Sequence, residues 1–119
     1  HISSDKDPVN MLQNNSTRTY NYDEPIADLN KAVRLYPEFA YTYYNRAILQ
    51  SLSGRLTEAY DDYSKAIELN PDFPEAYFNR GLVQVYLEDT RKGYMDISKA
   101  GELGLTEAYT ILRQYSYEE

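Results

Sequence analysis

The sequence predicts an all-α fold, an antiparallel helix-pair solenoid, and three observations lead there. First, the chain repeats itself at a spacing of 34 residues. Ala59-Tyr60-Asp61-Asp62-Tyr63-Ser64-Lys65-Ala66-Ile67-Glu68-Leu69-Asn70-Pro71 lies over Pro25-Ile26-Ala27-Asp28-Leu29-Asn30-Lys31-Ala32-Val33-Arg34-Leu35-Tyr36-Pro37. It also lies over Gly93-Tyr94-Met95-Asp96-Ile97-Ser98-Lys99-Ala100-Gly101-Glu102-Leu103, and Asp, Lys, Ala and Leu hold the same slots all three times. A period of this length is the mark of stacked supersecondary units. Second, Leu56, Ala59, Tyr60, Tyr63, Ala66, Ile67 and Leu69 fall on one face of a 3.6-residue helix. Third, Ser53-Gly54 and Asn70-Pro71 interrupt that pattern as turn residues do.

Taken in order, residues 1–21 form a poorly ordered or degenerate N-terminal segment, since Gln13 to Thr19 is polar with no apolar stripe. A short helix over Pro8–Gln13 is the one further element allowed there. Residues 22–36 are a half unit, with Asp23 available as a helix cap and Pro25 in a slot that holds Ala59 or Gly93 later. Residues 37–70 are a full unit. Its first helix carries Tyr43-Tyr44-Asn45-Arg46-Ala47, matched 34 residues on by Tyr77-Phe78-Asn79-Arg80-Gly81, and Thr57 can cap its second. Residues 71–104 are the next full unit. Asp72 and Glu75 have capping-box spacing, and Pro74 is tolerated in a first turn. Gly101 and Gly104, in the slots of Ile67 and Asn70, predict that the second helix of this unit frays early. Residues 105–117 are a capping helix. There Thr106-Glu107-Ala108-Tyr109 echoes Pro74-Glu75-Ala76-Tyr77, two residues ahead of register, and polar residues follow. Ala47 with Ala59, and Gly81 with Gly93, are small because paired helices approach closely at those slots.

These motifs resemble the tetratricopeptide repeat, in bacterial-type wording. That family has an aromatic and Leu-Gly in the first helix, Ala-x-x-x-aromatic in the second, and a closing Pro. Tyr43 and Tyr77 fill the first aromatic slot, Ala47 and Gly81 the small slot, Ala59 and Tyr63 the second-helix pair, and Pro37 and Pro71 the close. The resemblance covers residues 22–117 and implies a right-handed superhelix whose first helices face a concave, ligand-binding side.

Composition narrows the chemistry. The chain has 119 residues, 12 basic and 19 acidic side chains, no Cys, no Trp, and one His at position 1. There is accordingly no thiolate chemistry, and little for imidazole catalysis or a metal site. No basic stripe exists to neutralise a nucleic-acid backbone, and no apolar run is long enough to insert into a membrane. Adjacent carboxylates such as Asp61-Asp62 and Glu88-Asp89 point in different directions on a helix, so a catalytic acid/base pair is not expected. No enzyme activity, cofactor or metal is predicted. The chain does not begin with Met and reads as a processed form or a piece of a larger protein; its compartment is open.

Arg46 and Arg80 stand in slots where packing residues are usual in the family, which calls for partners. Spacing suggests a ladder between units, Asp28–Arg46 and Asp62–Arg80 at 18 positions and Asp96–Arg113 at 17. Asp28/Lys31, Asp62/Lys65 and Asp96/Lys99 are then expected as i, i+3 surface pairs.

By the family resemblance, the concave face presents Tyr41, Tyr44, Asn45, Ile48 and Leu52, then Glu75, Phe78, Asn79, Leu82, Val85 and Tyr86. Tyr41, Tyr44, Asn45, Ile48, Phe78, Asn79, Leu82 and Tyr86 are the candidate partner-binding residues, the two Asn occupying a slot whose amide bonds ligand backbone in peptide-binding relatives. The Lys, Asn and Arg of a chaperone-tail clamp are replaced by Tyr41, Tyr44, Ile48, Glu75, Phe78 and Leu82, and Glu75 repels such a carboxylate. An apolar or basic protein segment suits this groove better. The expected function is a non-catalytic protein-interaction scaffold; a self-associating homodimer module and a glycan-binding module are the alternatives. Truncating Tyr44 and Phe78 together is expected to abolish partner capture and spare stability. The chain has 14 Tyr. Tyr43, Tyr60, Tyr63, Tyr77 and Tyr94 are assigned to packed helices, Tyr41, Tyr44 and Tyr86 to the groove, and the other six remain open.

Overall fold

A computed structural model describes residues 20–118, with side chains described to residue 115; the expected helix over Pro8–Gln13 lies outside them. Six helices follow one another among the described residues: α1 Asp23–Leu35, α2 Ala40–Leu52, α3 Leu56–Leu69, α4 Pro74–Tyr86, α5 Thr90–Glu102 and α6 Glu107–Glu118. No strand interrupts the described chain. Connections of three or four residues force each helix to turn back beside its predecessor. The result is an all-α helical solenoid in which α2 pairs with α3 and α4 with α5.

Three-residue connections follow α2 and α4, and both use one backbone device. Gly54 N–H donates to the Ser51 carbonyl and Arg55 N–H to the Gln50 carbonyl; Glu88 and Asp89 repeat this on Val85 and Gln84. The same bonds end α5, from Gly104 to Gly101 and Leu105 to Ala100. Such a closure needs a left-handed residue at its apex. Gly54 (φ 82°) and Gly104 (φ 111°) supply it without strain, whereas Glu88 (φ 68°) adopts it with a side chain.

Core layers are shared by successive helices rather than owned by one pair. Tyr43 from α2, Ala66 from α3 and Ala76 from α4 pack with Phe73 of the connection. Ala47, Ala59, Tyr63 and Val83 again join α2, α3 and α4. Ile97, Ala100 and Ala108 join α5 to α6, with Tyr77, Phe78 and Leu82 of α4 against them. The small slots behave as expected. A Cβ added at Gly81 would lie 2.7 Å from the Gly93 carbonyl oxygen, and one at Gly93 would lie 2.7 Å from that of Gly81.

Several local expectations need correction. Neither Asp23 nor Thr57 caps a helix; Tyr22 and Arg55 take the N-cap positions of α1 and α3 without a side-chain bond. Asn21 Oδ1 instead accepts from the Asp23 N–H, at 2.8 Å. The Asp72/Glu75 capping box does not form, because Phe73 takes the N-cap of α4 and sinks its ring into the core. Asp72 N–H is met by Asn70 Oδ1 at 3.2 Å. Gly101 does not unravel α5. It is buried under the Tyr109 ring, where an added Cβ would lie 2.8 Å from Cζ, and the helix runs on to Glu102.

The between-unit ladder is also corrected. Arg46 Nε and Nη2 donate to Asp62 at 2.6 and 2.8 Å, and Arg80 donates to Asp96 at 2.6 and 2.9 Å. Each bidentate pair lies within one helix pair, 16 positions apart. The third guanidinium donor reaches back to the previous unit, to Asn30 Oδ1 at 2.8 Å and to Ser64 Oγ at 3.0 Å. The guanidinium carbons also sit over Tyr43 for Arg46, and over Tyr60 and Tyr77 for Arg80, at 5.7 to 5.9 Å. These carboxylate bonds, ahead of the opposing effect of burial, push both Arg pKa values up. Asp62 and Asp96 are therefore buried partners of Arg and do not form surface pairs with Lys65 and Lys99; Lys65 lies 3.6 Å from Glu68 instead. Asp28 is exposed, and the residue 16 positions before it is Leu12.

Candidate functional site

The stripe Glu75, Phe78, Asn79, Leu82 and Tyr86 runs along one side of α4 at helical spacing. Pro74 at the first position of α4 and Phe73 anchored in the core fix where that stripe starts. Two clefts open along it and meet at Asn79, which lines both.

The first cleft, about 510 Å³, lies between Tyr44 of α2, Glu75, Phe78 and Asn79 of α4, Leu105 of the connection before α6, and Glu107, Thr110 and Ile111 of α6. The second, about 400 Å³, lies toward the far end of α4. Ser51, Leu52, Gly54, Leu56, Tyr63, Asn79, Leu82, Val83 and Tyr86 line it. Both volumes fall in the range of small-ligand and side-chain pockets.

Tyr44 ties the groove to the core. Its ring packs 4.7 Å from Phe73 and 5.8 Å from Tyr63, while its hydroxyl accepts from Asn79 Nδ2 at 3.2 Å. Burial, then the negative charge of Glu75, pushes the Tyr44 pKa up, with the Asn79 bond pulling weakly the other way. Tyr63, deeper in, is raised to about 12, again by burial first. Both phenols are thus held neutral donors and acceptors through the physiological range.

The eight sequence-predicted residues divide. Tyr44, Phe78 and Asn79 come together in the first cleft, and Asn79, Leu82 and Tyr86 in the second. Tyr41 is exposed, its ring 4.8 Å from Phe73, and Asn45 is exposed; neither is among the described residues that line these two clefts. Ile48 packs against the Ala47/Ala59 core layer. Tyr86 stands 77% exposed, a side chain with much surface left to bury. Tyr44 and Phe78 are half-buried and packed on core residues, which corrects the expectation that removing both spares stability.

The wall from α6 is not among the residues the sequence predicts for the groove, because the polar residues of that helix read as a cap. The signal was present in the two-residue register shift. It places Glu107 in the slot of Glu75, and Thr110 and Ile111 in the slots of Phe78 and Asn79.

Among the Tyr assigned to packed helices, Tyr43 and Tyr63 are buried, while Tyr60, Tyr77 and Tyr94 are half-buried. Tyr43 donates its hydroxyl to the Pro37 carbonyl at 2.8 Å, and Tyr94 stacks on Tyr115 at 5.5 Å. Among the described residues, no group of three His, Cys, Asp or Glu side chains is placed to hold a metal. No described helix is long and apolar enough to cross a membrane.

Comparison with known proteins agrees with this architecture. Residues 51–86 match the family model described as TPR repeat, a window that takes in α3 and α4. No curated protein sequence matches the chain. Among solved structures, the first TPR of Spaghetti (RPAP3) bound to HSP90 peptide SRMEEVD is similar, with a TM-score of 0.76 at 24% identity; the match covers 91% of this chain and 86% of that one. The TPR2B domain of yeast Sti1, in its pHsp70 complex, gives 0.75 at 20% identity over 91% and 92%. MamA from Desulfovibrio magneticus RS-1 gives 0.67 at 20% identity over 84% and 54%. The chain therefore carries a tetratricopeptide repeat at residues 51–86, within a fold of the tetratricopeptide-repeat kind.

Proposed function

We propose that the chain is a non-catalytic protein-interaction module that binds a partner segment along the stripe of α4. The carrying observation is the pair of adjoining clefts that share Asn79, a half-buried amide between two largely apolar walls. Apolar side chains of a partner would fill the clefts, and the Asn79 amide would fix its backbone. Solved proteins of this fold whose names record a bound HSP90 peptide and a pHsp70 complex support a peptide as the class of ligand. Acid-ended peptides of that kind are disfavoured here by Glu75 and Glu107, so an apolar or basic segment is the better match.

The test selects peptides from a random displayed library on the immobilised chain and maps the winners by amide chemical shifts. Shifts centred on Phe78, Asn79, Leu82 and Ile111 are expected. Asn79→Ala with Tyr86→Ala should weaken capture at least tenfold while moving the melting temperature little, because Tyr86 is mostly exposed. Shifts confined to α1 or to the outer side of α5 would exclude the groove.

Self-association is the second reading, favoured by a cluster of exposed apolar side chains where α1 meets α2. Leu35, Tyr36, Phe39 and Tyr41 are 57 to 66% exposed there. Light scattering over a concentration series tests it, since this reading alone requires a dimer of the isolated chain.

A further inference from the structure

The two clefts differ in charge, and the difference specifies the occupant beyond the groove reading on which this inference rests. Glu75 and Glu107 border the first cleft, and no Lys, Arg or His is among the described residues that line it. Phe78 and Tyr44 line the same cleft, and aromatic ring faces attract a cation as carboxylates do. Among the described residues the second cleft is lined by no charged side chain, and Leu52, Leu56, Leu82, Val83 and Tyr86 wall it.

We infer that the groove takes an extended peptide segment with one Lys or Arg side chain in the first cleft and one bulky apolar side chain in the second. The basic stem lies along Phe78 and Ile111, which accept its methylene groups, while its charged head reaches Glu75 and Glu107 at the rim. Asn79, lining both clefts, stands at the backbone between the two anchors. The field of Glu75 is already felt inside this cleft, where it helps hold the Tyr44 proton on. The recurrence of Glu in one slot of α4 and α6 gives the cleft two carboxylates rather than one, and the chain's net charge of −7 adds a long-range attraction of the same sign.

The experiment uses three end-blocked peptides, Ac-Leu-Ala-Lys-Ala-Leu-NH2 and its forms with norleucine or Glu in place of Lys, titrated into the isotope-labelled chain. Norleucine keeps the stem and removes the charge. The Lys peptide should shift the amides of Glu75, Phe78, Glu107 and Ile111 and bind about fivefold more tightly than the norleucine peptide, as about 1 kcal/mol of rim electrostatics gives. The Glu peptide should be the weakest. Glu75→Gln with Glu107→Gln, both at exposed positions, should erase the Lys advantage, so that the Lys and norleucine peptides bind the variant equally. Raising the salt concentration tenfold should do the same. Equal binding of Lys and norleucine peptides at these residues overturns the cation inference and leaves the groove reading standing. Shifts elsewhere, or none with any peptide, overturn both. Shifts at the same residues on concentrating the chain alone would make a second copy the occupant and overturn the inference as well.

Discussion

Asp28, Asp62 and Asp96 occupy one slot of the repeat, yet only the latter two are buried against Arg. Removing the carboxylate strands a guanidinium that is four-fifths buried, so Asp62→Ala and Asp96→Ala should each cost about 2–3 kcal/mol in urea unfolding. Asp28→Ala, at an exposed site, should stay within about 0.5 kcal/mol. Three equal losses would sink the pairing described for Arg46 and Arg80. Tyr63 gives a pH signature. Its folded pKa of about 12 lies above the ordinary 10.0, so folding favours the protonated phenol. That stability is fully present below pH 10 and is lost as pH rises from 10 toward 12. The loss is on the order of 2 kcal/mol, and Tyr44 adds in the same direction. Tyr63→Phe should flatten the alkaline limb of a stability–pH curve measured by denaturant midpoints, and an unchanged limb would refute the assignment.

At the scale of elements, the contacts of α5 with α4 and with α6 separate two kinds of glycine. Gly81→Ala drives a methyl into the Gly93 carbonyl, a backbone atom that cannot swing away, and should destabilise by about 2 kcal/mol or more. The atoms nearest to a Gly101→Ala methyl belong to the far end of the Tyr109 ring, a side chain that is 44% exposed and can give way. The substitution's helix-propensity gain of about 1 kcal/mol offsets much of that contact, leaving it near neutral. Thermal melts of the two variants decide the ordering. The turn after α4 offers the converse change. Glu88 bears a left-handed backbone that Gly54 and Gly104 adopt freely, so Glu88→Gly should raise stability by about 0.5–1 kcal/mol. A fall would mean that the Glu88 side chain contributes more than its backbone strain removes.

For the whole molecule, each core layer is assembled from consecutive helices, so no pair is expected to fold apart from its neighbours. Hydrogen exchange should accordingly show α2 to α5 opening with similar free energies, and α1 and the end of α6 opening more readily. Two clearly separated protection levels between α2–α3 and α4–α5 would contradict a shared core. Groove and core are likewise continuous through Tyr44, whose ring is packed and whose hydroxyl is offered to Asn79. Binding variants are for this reason best made at Asn79, Tyr86, Glu75 and Glu107, where little packing is lost.

Sequence periodicity by itself determined the helix pairs, the small residues at Ala47, Ala59, Gly81 and Gly93, and the side of α4 that carries Phe78, Asn79, Leu82 and Tyr86. These are consequences of local spacing: 3.6 residues per turn and 34 per unit assign every side chain to a face. Tertiary structure decided what spacing leaves degenerate. Separations of 16 and 18 both join one helix to a neighbour, and only the packing of α2 on α3 selects Asp62 for Arg46. A tight turn and a sequence slot do not reveal that Glu88 must take the left-handed apex. Nor does a polar-looking last helix show that its first turn closes a cleft, because that depends on where α6 docks on α4 and α5. Faces follow from the chain's own geometry; which faces meet follows from how helices distant in sequence pack.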